Sequence, residues 1–176
     1  MGDQVLVSPS AGPVLSSFAP VYREDARILI LGSMPGDASL SADQYYAHPR
    51  NAFWPIMGAL FGAGPEQPYA DRLQRLMACG VALWDVIGNC RREGSLDSAI
   101  EPDSIVANDI PALINSCPQL TRICFNGTAA EQAFRRHIRL DANGRELNLR
   151  RLPSTSPAHA ALGLAAKLTA WQQALQ

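Results

Sequence analysis

Apolar residues fall along this chain in short blocks, separated by polar stretches and by Gly/Pro punctuation. Arg27–Leu31, Val81–Ile87 (VALWDVI), Arg122–Asn126 and Glu146–Leu152 read as strands. Helical spacing fills the intervals. Pro55–Phe61 is a short helix with proline in its first turn. Asp71–Ala78 places Leu73 and Leu76–Met77 on one face. Asp109–Asn115 is stopped by Cys117-Pro118, Thr128–His137 has Thr128 as its N-cap, and Gly163–Leu175 closes the chain. Strands alternating with helices predict an α/β fold, a single three-layer α/β/α domain around a mainly parallel sheet. Residues 1 to about 20, rich in Ser, Pro, Gly and Ala, read as a loose leader, which leaves 21–176 as the one domain. No internal repeat is visible.

Three of the strands end in polar loops: Gly32-Ser33-Met34-Pro35-Gly36 after the first, Asn126-Gly127 after the third, and 152–160 (LPSTSPAHA) after the last. Open α/β sheets bind ligands outside the carboxyl ends of their strands, and parallel strands put those ends on one side. Separate pieces of chain therefore converge on one cleft. About ten residues beyond the first loop stands a patch of aromatic and amide groups: Tyr45, Tyr46, His48, Arg50, Asn51, Phe53 and Trp54. Flat rings stack, and an amide pairs with a base edge. The cleft is built for something planar.

Composition narrows this further. At 176 residues the chain suits one domain with a sizeable core, and 47% apolar content is ordinary for a globular protein. No apolar run approaches the roughly 18 residues needed to span a bilayer. The N-terminus lacks a basic segment before an apolar stretch, so no secretory signal is expected and the protein reads as cytoplasmic. The four cysteines (79, 90, 117 and 124) include no CxxC pair, and Cys124 lies within an apolar run, which points to structural thiols. Net charge is −1, against a strongly basic nucleic-acid binder. The distribution is uneven, because seven arginines between Arg122 and Arg151 face only Glu131, Asp141 and Glu146. That stretch is either a polyanion contact or a solvated surface.

Together, GSMPG, YYAHPRNAFW, ALWDVIGNCRREGSLDSAI (82–100), ICFNG (123–127) and LPSTSPAHA resemble the uracil-DNA glycosylase superfamily. Its hypoxanthine (deoxyinosine) DNA glycosylase branch is the most similar. The resemblance runs from about Phe18 to the C-terminus. It implies a uracil-DNA glycosylase-like fold and hydrolysis of the N-glycosidic bond of a deaminated base in DNA: hypoxanthine first, with uracil or xanthine next. The products are free base and an abasic site, and no metal or other cofactor is needed. The implied partner is damaged DNA with its deaminated nucleotide flipped out, and the enzyme is expected to be a monomer that does not engage membranes.

Residue by residue, the resemblance points to Asn51 as the required catalytic amide and to Asn126 as a second. The asparagine that positions water in mismatch-type relatives is replaced here by Met34. Tyr46 stands where relatives stack an aromatic on the extruded base. Gly32, Ser33, Met34, Pro35 and Gly36 would form the base pocket with Tyr46. Phe53 is counted with that pocket too, although its place in a helix beside Ile56 and Leu60 equally suits the core. Ser154, Thr155, Ser156, Pro157 and His159 would meet DNA, with Pro157 or Ala158 filling the gap left by the flipped nucleotide. Leu152 occupies the position of the histidine that steadies the leaving base in classical uracil enzymes.

Plainer readings stand beside these. Asn51 also suits a cap for the following helix, Asn126 a turn before Gly127, and His48 a tie within its own loop. Asp85 reads chiefly as a loop anchor, with a catalytic carboxylate as the alternative. Arg91, Arg92 and Ser95 suit backbone phosphates. No lysine occupies the motifs, so the resemblance implies a monofunctional enzyme, since a Schiff-base lyase needs an amine. Two other classes remain open: a hydrolase using Ser33 with His159 and Asp85, and a non-catalytic nucleic-acid-binding module on the same scaffold.

Overall fold

A computed structural model describes residues 12–141 and 144–176. Its centre is a four-stranded parallel sheet in the order β3-β2-β6-β7, made of β2 (Ile28–Gly32), β3 (Val81–Asp85), β6 (Arg122–Asn126) and β7 (Asn148–Leu152). Register runs Ile30 against Leu83 and Cys124, and Cys124 against Arg150. Successive residues of β2 feed opposite cores, as strand geometry requires. Leu29 and Leu31 pack with Ile123 and Phe125 against α4 (Ile110–Ser116) and α5 (Thr128–His137). Ile30 packs with Leu83 and Cys124 against α2 (Phe53–Phe61), α3 (Tyr69–Ala78) and α6 (Leu164–Leu175). This is the expected three-layer α/β/α arrangement, and it covers both faces of the parallel strands.

The apolar run 81–87 does not make one strand. β3 ends at Asp85, and the chain re-emerges as β4 (Ile87–Arg91) in a second, antiparallel sheet with β1 (Val14–Ser16) and β5 (Val106–Ala107). The N–H groups of Val86 and Ile87 donate to Gly32 and Ser33, which ties this crossing to the loop after β2. The loose-leader expectation therefore fails for Val14–Ser16, which is a paired strand; residues 1–11 lie outside those described. A six-residue helix, α1 (Asp37–Ala42), follows the first loop and had no sequence signal. α2 begins at Phe53, two residues before its proline. Thr128 is not a cap: Gly127, at φ +93°, fills that position, and no side chain bonds the helix start.

The four cysteines are free thiols, with Cys124 fully buried. Among the described residues no helix is long and apolar enough to cross a membrane.

Candidate active site

A cavity of about 150 Å³ opens beyond the carboxyl ends of β2, β3 and β6. Gly32 to Gly36 form one wall, Tyr46, His48 and Asn51 another, and Ser154 to Pro157 a third, with Asp85 and Asn126 also lining it. The strand order reverses beside β2, the place where doubly wound sheets hold ligands. A larger trough of about 640 Å³ adjoins the cavity, sharing Asp97, Asn126, Ser154 and Ser156 with it. Arg151, Leu152, His159, Leu96 and Leu162 also line the trough.

Tyr46 takes a left-handed backbone conformation (φ +54°) and stacks on Phe53, with ring centroids 4.0 Å apart and planes inclined by 27°. Phe53 is fully buried and does not line the cavity, so its place in the base pocket is corrected. It is the floor under Tyr46, backed edge-on by Trp171 at 6.1 Å. Burial, and then the nearby charge of Asp85, raise the Tyr46 phenol far above its usual range, so it stays protonated. Gly32 permits this crowding: a Cβ there would collide with Asp85 Oδ1 and approach Tyr46 Oη to 3.1 Å.

Asn51 has both proposed attributes. Its Oδ1 accepts from the N–H of Phe53 at 2.9 Å, bracing the start of α2, while the residue lines the cavity. The amide orientation follows from that bond, since the backbone donor needs an oxygen. No hydrogen bond engages Nδ2 among the described residues, so the end left for a ligand is a donor.

Asn126 is differently employed. Its Nδ2 donates to Thr155 Oγ1 at 2.9 Å, and its Oδ1 accepts from the Thr155 N–H at 2.9 Å. Thr155 is itself 1% exposed, so its assignment as a DNA contact is corrected: it is the buried half of a clasp between β6 and the 152–160 loop. The same residue's carbonyl accepts from the Ala52 N–H, which draws the Asn51 loop to the clasp. Asn126→Ala is expected to lower unfolding stability by about 1–3 kcal/mol, because two buried groups of Thr155 lose their partners. Urea denaturation measures this, and an unchanged midpoint would contradict the clasp.

Other expectations resolve by position. Ser33 Oγ donates to Asp97 Oδ1 at 2.6 Å, and His159 lies in the trough rather than the cavity, so no Ser33–His159 pair is assembled. His48 ties its own loop through Nδ1, which accepts from the Arg50 N–H. Met34 is an apolar wall, 7% exposed. Leu152 lines the trough, not the base cavity. Ser154 and Ser156 accept from the N–H groups of Ser156 and Ala158 and remain half-buried at the cavity rim.

Arg92 is not a phosphate contact. It is 1% exposed, donates to the carbonyls of Pro35 and Gly94, and pairs with Asp37 at 3.7 Å, stapling the first loop to 92–97. Two of the clustered arginines are likewise structural: Arg122 bonds the Ala174 carbonyl, and Arg145 bonds those of Ile114, Cys117 and Leu120. Arg151 reaches the trough. The sole lysine, Lys167, donates to the His159 carbonyl and lines neither cavity.

The residue undervalued by sequence is Asp85. Its backbone carbonyl does anchor a loop, accepting from Asn108 Nδ2, but its carboxyl does not. It is 3% exposed, lines the cavity, and among the described residues its Oδ2 has no hydrogen-bond partner. Burial, and then the charge of Asp97, push its pKa up to about 7. Leu96 and Leu162, 56% and 41% exposed beside the trough, were also not anticipated.

Beyond the carboxyl ends of its parallel strands, this α/β fold thus gathers a tyrosine ring, an amide donor and a buried carboxyl in one small cavity. The chain belongs to the uracil DNA glycosylase superfamily, whose family model matches residues 19–175. It is 40% identical over 111 residues to a hypoxanthine DNA glycosylase of Methanosarcina barkeri, which covers 62% of this chain and 69% of that protein. It is 41% identical over 114 residues to the hypoxanthine DNA glycosylase of Methanosarcina acetivorans, covering 64% and 71%. In three dimensions it is similar to a candidate uracil DNA glycosylase of Methanosarcina acetivorans solved by solution NMR. The TM-score is 0.71 at 32% identity, covering 93% of this chain and all of the other.

Proposed function

We propose that the cavity hydrolyses the N-glycosidic bond of deaminated bases in DNA, hypoxanthine before uracil or xanthine, and leaves an abasic site. The observation that carries this is the pairing of Tyr46, braced from below by Phe53, with the donor end of Asn51 in one base-sized cavity. A flipped base stacks on the exposed face of Tyr46, worth about 1–3 kcal/mol against the unstacking it has suffered. Pro157 in the cavity wall, and Leu96 and Leu162 along the adjoining trough, offer apolar tips for the vacated stack. The half-buried Ser154 and Ser156 and the exposed Arg151 face the strand that carries the lesion.

The chemistry needs no covalent enzyme intermediate. As the bond between the sugar C1′ and the base nitrogen breaks, its electron pair stays on the base. A water oxygen bonds to C1′, and the water's proton leaves to solvent or base. With its oxygen held by Phe53, Asn51 acts through N–H: it holds the water or steadies charge on the base, but takes no proton. Lys167 lies outside both cavities, which supports hydrolysis without strand cleavage by an amine. The same reading makes the enzyme a cytoplasmic monomer with damaged DNA as partner.

The test uses labelled oligonucleotides carrying a single hypoxanthine, uracil or xanthine. Strand breaks at hypoxanthine that appear only after alkali are the expected result. Breaks at uracil alone would reassign the substrate, and no breaks at any base would leave the binding-module reading.

A further inference from the structure

Asp85 is the one carboxyl in the cavity that the fold isolates. It stands at the end of β3 beside Gly32, where any larger residue would displace it. Tyr45 and Tyr46 face it from the 43–52 loop, and Asp97 faces it from the turn after β4. His48 and Asp37 line the same cavity, and none of its lining residues is Arg or Lys. The nearest buried cation, Arg92 behind the Pro35–Asp37 wall, is engaged with Asp37 and the carbonyls of Pro35 and Gly94, and Asp85 Oδ2 has no partner among the described residues, so the site favours the neutral acid over the ionised form.

We propose that Asp85 meets the extruded base as a neutral carboxylic acid. Its O–H donates to the base carbonyl while its C=O accepts from the adjacent ring N–H. The inference rests on the glycosylase reading and specifies its substrate class, a base with N–H beside C=O. Hypoxanthine, uracil and xanthine share that lactam edge. When the glycosidic bond breaks, negative charge gathers partly on the carbonyl oxygen, and the Asp85 hydrogen bond strengthens with it. The proton stays on Asp85 and no group is transferred. Adenine and cytosine, the parents of hypoxanthine and uracil, carry an exocyclic amine at that position and have no oxygen there to collect the charge. Discrimination of hypoxanthine from adenine, and of uracil from cytosine, then arises in the transition state, while guanine and thymine, which share the lactam edge, must be excluded by the shape of the cavity. A carboxylate at the same position would instead repel the departing anion.

The sign of the pH dependence follows. Asp85 carries its proton below about pH 7 and loses it above. Wild-type kcat/KM on a hypoxanthine oligonucleotide should therefore fall about tenfold per unit on the alkaline side. Asp85→Asn supplies an N–H and a C=O in the same places without titrating. It should be several-fold slower than wild type at pH 6, lack the decline above 7, and overtake wild type at alkaline pH. Asp85→Ala should lose on the order of a hundredfold at pH 6.

Fold stability supplies a readout free of turnover. Between 3.8, the ordinary carboxyl value, and about 7, the folded chain holds a proton that the unfolded chain has released. Stability should thus decline with rising pH across that window in wild type, relative to Asp85→Asn. Activity that rises through pH 7, or an Asp85→Asn as dead as Asp85→Ala, would make Asp85 a general base and overturn the proposal. So would stability profiles that run parallel. If the stability profiles diverge as expected but wild type cleaves no base at any pH, the glycosylase reading itself fails, and the base-pairing role with it.

Discussion

Replacing Asn51 by alanine is expected to reduce kcat on a hypoxanthine-containing oligonucleotide by about 10²–10³, the usual loss when one preorganised donor is removed from developing charge. Alanine also removes the acceptor of the Phe53 N–H, so its loss combines the missing donor with a frayed α2. Asn51→Asp separates the two. Aspartate keeps an oxygen for the Phe53 N–H and adds a negative charge at a helix start, where it is favourable. Its stability should match or exceed wild type, while its activity should be as poor as that of alanine, because the N–H is gone and a new anion opposes the departing base. Urea denaturation and single-turnover kinetics on both variants give the answer. An Asn51→Asp enzyme within fivefold of wild type would show that Asn51 serves only its helix.

The double service proposed for Asn51 explains why sequence alone left it open between cap and catalyst: both roles would use the same amide, one atom each. Other features were legible for a simpler reason. β2 and β6 are buried on both faces and so appear as unbroken apolar runs, and the Gly/Pro loop after β2 marks the cavity's wall directly. The break at Asp85–Val86 was invisible because the apolar run continues through it, while the sheet changes only where β4 finds β1 and β5 as partners. β1 is three residues long in a Ser/Pro-rich stretch, and its pairing partner lies more than seventy residues away. α1 has little apolar periodicity and starts where Ser95 accepts its first N–H.

Sequence is least informative where a group's role depends on what it does not touch. Asn126 looked available until Thr155, 29 residues on, took both ends of its amide. Asp85 looked tied down, yet its carboxyl is free. Single residues betray neither occupancy nor isolation; both are properties of the assembled cleft. Arg92 carries the same lesson for charge, since a buried guanidinium that staples two loops looks in sequence like any phosphate contact.

The largest effect on stability is expected at Trp171, far from the motifs in sequence. Its ring is fully buried in the core shared by α2, α3 and α6, and it braces Phe53 edge-on while Phe53 supports Tyr46. Its Nε1 donates to the Pro153 carbonyl at 2.9 Å and so holds the start of the 152–160 loop. Trp171→Ala should cost about 3–5 kcal/mol of unfolding free energy through lost burial and an unfilled cavity, a large share of the roughly 5–15 kcal/mol that natural domains possess. Trp171→Phe keeps most of the packing and strands only the Pro153 carbonyl, for about 1–3 kcal/mol. The functional consequence should follow the loop rather than the chemistry. At a temperature where Trp171→Phe is fully folded, KM for DNA should rise more than kcat falls, since the rim is displaced while Asn51 and Asp85 keep their places. A Trp171→Ala protein that loses less than 1 kcal/mol, or a Trp171→Phe enzyme impaired in kcat alone, would show that the aromatic stack and the loop are not supported from α6.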